Sequence, residues 1–267
     1  MTMKLSPVDI FVHVPKTAGL SLRNAVIEHH GSKQVYVYDM SSQKLLRSDR
    51  QLLRRERPAH IAIANAIGYL PPQLTHSILK ARGALATSPE VAFRKGDAIV
   101  GHFVVNTFEG VAADREVRQM TVVRDPLARM VSHYRYLQQQ KHFDPSLRGW
   151  QTGQDPDLPF SEFALSDNVR NFQASYTGTD PSRFAILGTM EDFPKFLLNA
   201  GLITDDHEIP RVNVTTSALL EDPTLHDAGF VRDFQSFHDA DYAFYAAADE
   251  RSVLVGQSSA PLSSSVY

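Results

Sequence analysis

The sequence predicts a parallel α/β sheet covered by helices on both faces. Two observations carry this. Short, nearly continuous apolar runs rich in β-branched residues recur along the chain, as in strands buried on both faces. Stretches with helical apolar spacing stand between them, the alternation that builds parallel sheets.

The first strand is Asp9-Ile10-Phe11-Val12-His13-Val14. After a loop at residues 15–19, Leu22, Ala25, Val26 and His29 recur at i, i+3, i+4 and i+7, so a helix follows, and Gly31 stops it. Further strands are expected at 34–38, 61–64, 98–103, 120–123 and 184–187. Helices are expected between them at 42–57, 72–82, 126–140, 161–172 and 195–200, with a last helical region at about 231–248. Residues 142–159, with their Pro, Gly and Asp, read as an irregular insertion that carries Trp150, the only tryptophan. Nothing in between resembles a linker, so residues 1–267 are expected to form one domain, with a small-polar tail at 256–267 that frays.

Composition narrows the function classes. The chain has 267 residues, 43% of them hydrophobic and 21% charged, ordinary for a globular protein with a sizeable core. Cysteine is absent, which removes disulfide scaffolds, thiolate metal sites and thiol nucleophiles. Lys plus Arg number 27 against 30 Asp plus Glu, a net charge of −3, without the basic excess of a general nucleic-acid or membrane binder. The most apolar window, residues 59–70, holds His60 and Asn65 and is shorter than the roughly 20 residues a membrane span needs. The first residues lack the apolar segment of a signal peptide, so a soluble, cytoplasmic protein is expected. The histidines show no H-E-x-x-H or other metal spacing, and no metal is expected.

Pro15-Lys16-Thr17-Ala18-Gly19-Leu20-Ser21-Leu22 lies between the first strand and its helix. Anions bind at such a place, because the helix N-terminus offers unpaired N–H groups and a partial positive charge. Lys16 adds a full charge, and Gly19 lets the backbone approach a ligand. This is not a Walker A loop: Ile10 and Pro15 stand where its glycines would be. A second junction, Arg124-Asp125-Pro126, starts a helix with Asp125 as N-cap and Pro126 at the first helical position. Arg124 then lies at a strand's carboxyl end, with Ser132 about two turns into the helix. A guanidinium fork and a hydroxyl at such a junction suit a terminal phosphate monoester. Asp125 and Arg129 are expected to cap, pair at i, i+4 or brace the helix.

Both segments resemble the sulfotransferases that use 3′-phosphoadenosine 5′-phosphosulfate (PAPS), in particular their carbohydrate branch, which includes heparan sulfate 2-O-sulfotransferase. That branch carries P-K-T-[AG]-[GS]-T-S after its first strand, and only Leu20 departs, where threonine is usual. The family's 3′-phosphate motif, R-D-P-x-x-R-x-x-S-x-Y, is matched at every named position from Arg124 to Tyr134. The resemblance implies a P-loop-like, nucleotide-kinase-like sulfotransferase fold. It implies that Lys16, Thr17, Ala18, Gly19, Leu20, Ser21, Arg124 and Ser132 bind PAPS and its 3′,5′-bisphosphate product. It also implies a role for Gly101-His102, which stands between the two motifs where the branch has a G-H pair with a general-base histidine. By residue type alone a histidine near an apolar strand is usually a core residue, although an imidazole is suited to taking a hydroxyl proton at neutral pH. Lys16 is expected to meet charge on the leaving oxygen, with His13 and His133 as the other histidines near the motifs.

Residues 186–193 resemble the family's strand followed by G-T-x-E-x-F, and 210–215 its P-x-x-N-x-[ST] loop; each could reach the ligands or be a fold-defining turn. Asp239 to Tyr245 resembles its last helix, of D-x-x-x-Y type, with a packing role. Lys44, Arg47, Arg50, Arg54, Arg55 and Arg57 form a basic run that is either a solvated helix face or a wall for an anionic acceptor such as an acidic glycan. The expected activity is sulfuryl transfer to a hydroxyl, on a carbohydrate or glycoconjugate. Two rivals stay open: a nucleotide-dependent phosphotransferase, and an inactive nucleotide- or glycan-binding module. The acceptor and the oligomeric state are not legible.

Overall fold

A computed structural model of the chain describes residues 7–39, 44–48, 96–112, 116–143, 155, 157–205 and 222–258. Its centre is a six-stranded sheet of β1 (Val8–His13), β2 (Val35–Asp39), β3 (Lys44–Arg47), β4 (Ala98–Gly101), β5 (Val117–Val123) and β6 (Ile186–Thr189). The spatial order is β3-β2-β4-β1-β5-β6, and every pair is parallel except β2–β3. The expected α/β class is therefore the observed one.

Helices cover both faces because successive strand residues point to opposite sides. On one face Phe11, Val37, Ala98, Val100, Met120 and Val122 pack against α1 (Gly19–His30). The same face is covered by Phe193 and Phe196 of the helix at Phe193–Asn199. On the other face Ile10, Val12, Ile99, Val123 and Leu187 meet Phe244 and Ala248 of the long C-terminal helix, α7 (Asp239–Ser258). Between β5 and β6 lie α2 (Pro126–Phe143), α3 (Phe160–Ala164) and α4 (Phe172–Thr177), followed after β6 by α5 (Phe193–Asn199) and α6 (Ala228–Phe237). Met130, Phe163 and Phe234 join α2, α3 and α6 in a third cluster beside the sheet.

Asp9 is the one acidic residue in β1. Its carboxylate takes both Nε and Nη2 of Arg118, its cross-strand partner, at 2.7 and 2.6 Å, with His30 at 3.6 Å. A buried carboxylate is tolerated in a strand when it is paired and hydrogen-bonded in this way.

Several expectations are corrected. The helix expected over 42–57 is not there at its start: Lys44–Arg47 is an edge strand antiparallel to β2, with Leu45 opposite Tyr38 and packed beside it and Tyr36. The Leu45-Leu46 doublet carries no period, and pairing with β2 decides it. The helix expected over 161–172 is shorter: α3 ends at Ala164, a 3-10 turn spans Asp167–Val169, and α4 starts only at Phe172, after Asn171 in a left-handed conformation (φ 47°). The last helical region is also two helices, broken at His238 (φ −107°, ψ 34°). The strand expected over 98–103 ends at Gly101, leaving His102 in the bend that follows, and that expected over 184–187 is Ile186–Thr189. Helix α7 runs to Ser258, into the tail expected to fray. The strand at 61–64, the helix at 72–82, the loop at 210–215, Trp150, and Arg50, Arg54, Arg55 and Arg57 lie outside the described residues. Among the described residues, no helix is long and apolar enough to cross a membrane.

Candidate functional site

Three adjacent parallel strands end side by side. Val12 stands opposite Gly101 and His13 opposite Val122, so β4, β1 and β5 terminate within about a residue of one another. The chain leaves β1 toward β2 on one side of the sheet and β5 toward β6 on the other. The crevice between β1 and β5 is thus a topological switch point, where open α/β sheets bind ligands. The loop after β1, His102 after β4 and Arg124 after β5 all lie at this edge.

The loop is pinned from inside. Thr17 is buried and its hydroxyl donates to the Val14 carbonyl at 2.8 Å, so this side chain shapes the turn and only its N–H faces a ligand role. Lys16 (φ 75°) and Ala18 (φ 52°) both have left-handed backbones. Ala18 is the N-cap of α1 and has no side-chain oxygen to satisfy the first helical N–H groups, which leaves the amides of Gly19, Leu20 and Ser21 for an anion. Leu20, the departure from the family pattern, is 46% exposed, while Ser21 is buried.

Gly19 is required by its neighbour. A Cβ there would fall 1.3 Å from Cε1 of His13, so the imidazole occupies the space a side chain would need. A Gly19→Ala variant is expected to lose about 1–3 kcal/mol of stability by overpacking. Thermal denaturation checks this; an unchanged Tm would mean that the His13 ring leaves freely.

His13 in turn stacks on His102, ring centroids 4.1 Å apart and planes at 30°. Nδ1 of His102 lies 2.8 Å from the His13 carbonyl, an acceptor only, so Nδ1 carries the proton and Nε2 presents a lone pair. Burial lowers the pKa of His102, opposed by that backbone hydrogen bond, so the ring is a neutral proton acceptor at neutral pH. Burial, then His102 and Lys16, lower that of His13 further. Nε2 of His13 is buried with no hydrogen-bond partner among the described residues. Gly101 has a packing reason: a Cβ there would come 2.8 Å from Cβ of Tyr38, its partner across β2–β4.

Cations converge on the crevice. The Lys16 ammonium lies 4.3 Å from the ring centroid of Tyr136, one turn beyond Ser132 on α2, a cation–π contact. Its pKa is lowered by burial and then by Arg124 and Arg129, which places both guanidinium groups in its electrostatic range. Arg124 is half-buried, with Glu191 and Asp125 offsetting part of its desolvation. Asp125 is the N-cap expected of it, accepting from Ala128 N–H at 2.8 Å. Ser132 is buried in the second turn of α2. Arg129 is fully buried, its guanidinium 4.4 Å from the Phe172 ring and its Nε and Nη1 without a hydrogen-bond partner among the described residues, and burial lowers its pKa to about 10 against the pull of Asp241.

In the 186–193 segment, Glu191 lies near Arg124 and is hydrogen-bonded to Tyr245, whose pKa is raised by burial first and then by that carboxylate. Sequence reasoning missed Tyr136 and Gln173. Tyr136 carries only the i+4 spacing from Ser132 as a signal, and Gln173 carries none.

Such a site concentrates positive charge and uncapped amides beside the His102 imidazole. It can hold an anionic donor and deprotonate a neighbouring hydroxyl. No protein-family model matches the chain. No curated protein matches it either. Among solved structures it is similar to retinol dehydratase in complex with androsterone and the inactive cofactor PAP, at 14% identity over 96% of this chain and 80% of that one, with a TM-score of 0.29. So distant a likeness assigns no residue here.

Proposed function

We propose that the chain transfers a sulfuryl group from PAPS to a hydroxyl of an acceptor, a carbohydrate or glycoconjugate by the resemblance of its two motifs. The observation that supports this best is the level ending of β4, β1 and β5. It gathers a proton acceptor, a phosphate-type loop and an arginine junction at one crevice. The residues suit the donor: two half-buried cations and uncapped helix amides fit its phosphates and sulfate. The donor supplies a sulfuryl group bound to a good leaving oxygen. His102 takes the acceptor's proton at Nε2 as the new O–S bond forms and the old S–O bond breaks. Lys16 and the amides of residues 17–21 meet the charge that develops on the departing bisphosphate, the electrostatic role that dominates transfers of this type.

Arg124 and Ser132 read the 3′-phosphate in this proposal, so affinity depends on that group. A charge-assisted contact is worth about 1.5–3 kcal/mol, roughly ten- to a hundredfold. Titration calorimetry is expected to show the 3′,5′-bisphosphate binding tighter than AMP by at least about that factor. Equal affinities sink the assignment, and turnover with ATP and magnesium but not with PAPS would replace it by phosphoryl transfer.

A further inference from the structure

Arg124 is held by its main chain as well as by its place in the fold. The ladder between β5 and β6 stops at Val123 opposite Thr189, with Met190 N–H donating to the Val123 carbonyl at 2.7 Å. Arg124 comes next and has no strand beside it. Instead the side-chain amide of Gln173 serves both of its peptide groups: Oε1 accepts from Arg124 N–H at 3.0 Å and Nε2 donates to the Arg124 carbonyl at 2.9 Å. Gln173 is buried, and its amide continues the sheet by one residue.

Gln173 is itself anchored. It stands in the first turn of α4, where Asp241 of α7 accepts from Gln173 N–H at 3.2 Å and Ala174 N–H at 2.8 Å. Asn171 returns the arrangement, its Oδ1 accepting from the N–H groups of Ala240 and Asp241 in the first turn of α7 at 3.2 and 3.3 Å. The two helices cap each other through side chains. His238, at the break between α6 and α7, accepts from Asn171 N–H through Nδ1 at 3.1 Å and donates from Nε2 to the Ala164 carbonyl at 2.9 Å. The Arg129 guanidinium closes the assembly over Phe172.

We propose that Gln173 is a positioning residue for Arg124: its bidentate grip on the main chain of that residue orients the guanidinium at the crevice, and the reciprocal caps of Asn171 and Asp241 hold Gln173 in place. The proposal rests on the reading of Arg124 as the 3′-phosphate reader. A planar guanidinium recognises a phosphate only in a narrow range of directions, so a loosened peptide costs discrimination rather than charge.

The test compares the affinities of 3′,5′-bisphosphate and AMP, by calorimetry, in the wild type, Gln173→Leu, Gln173→Glu and Arg124→Ala. Leucine has nearly the volume of glutamine and makes neither hydrogen bond. Glutamate still accepts from Arg124 N–H but sets a second acceptor against the carbonyl. Both variants are expected to lower the bisphosphate-to-AMP ratio by about tenfold while the affinity for AMP stays as in the wild type. Arg124→Ala is expected to remove most of the preference, leaving the share that Ser132 supplies, and adding Gln173→Leu to it should change the ratio no further. If Gln173→Leu does not fold, Gln173→Glu decides alone. A wild-type ratio in a folded Gln173 variant, with most of the preference lost in Arg124→Ala, overturns the positioning role and leaves the reading of Arg124 standing. A preference undiminished by Arg124→Ala overturns both, and equal loss of affinity for both nucleotides shows Gln173 to be structural only.

Discussion

His102→Ala is expected to lower kcat by about 10²–10⁴-fold, the usual worth of a positioned base. The affinity for the bisphosphate should stay near wild type, because the imidazole holds a proton of the acceptor and touches the donor's phosphates nowhere in the proposal. Two features of the structure sharpen the expectation. The His13 carbonyl fixes the tautomer, so Nε2 is the accepting atom. Burial lowers the pKa, which makes the neutral, active form dominant down to a more acidic pH than the ordinary histidine value of about 6.5. Activity therefore falls on the acid side of that value as His102 takes up a proton, and this limb disappears in the mutant. Thermal melting supplies the control. A variant that is active but melts far below wild type would return His102 to the role of a core histidine stacked on His13, and a stable, active one would move the search to His13 or His133.

Lys16→Ala is expected to lower kcat by about 10²–10³-fold, with a smaller loss of affinity for the bisphosphate. The ammonium is half-buried against Tyr136, where electrostatic interactions are stronger than in open water. Burial, Arg124 and Arg129 lower its pKa, so the charged form is lost at a lower pH than for a free lysine. The pH profile should accordingly be bell-shaped, its alkaline limb falling below the ordinary lysine value of about 10.4. Should the substitution weaken binding and leave kcat intact, Lys16 is an anchor and has no part in meeting the leaving oxygen.

The parts of this site that were legible in the sequence are local. A β-branched run before Pro15 and an i, i+3, i+4 pattern after Gly19 place β1, its loop and α1, because strand and helix periods are short-range signals. Asp125-Pro126 announces its own cap, and the carboxylate sits on Ala128 N–H as that chemistry requires. What was illegible depends on tertiary pairing. Lys44–Arg47 becomes a strand only because β2 offers it an edge. The tautomer of His102 depends on a carbonyl 89 residues away. Gln173 reaches an arginine 49 residues before it from a six-residue helix, so no periodicity marks it. Asn171 could have been suspected as a helix breaker, since asparagine tolerates the left-handed region, but its partner on α7 could not.

The two left-handed residues of the phosphate-type loop have a consequence for how the protein divides its stability. A non-glycine residue with a positive φ costs roughly 1–3 kcal/mol, and it persists only where the surroundings over-determine it. Here two stand on either side of Thr17, Lys16 and Ala18, braced by the Thr17 hydroxyl and by the His13 ring on Gly19. The bend is therefore held by contacts of the chain itself, and it leaves the first N–H groups of α1 without a side-chain cap. Glycine at either position would relieve the torsion and leave the fold sturdier, yet it would return the loop to a wider set of shapes. In this loop, resistance to heat has been surrendered for stiffness at the point where, in the proposed reaction, the departing oxygen is met.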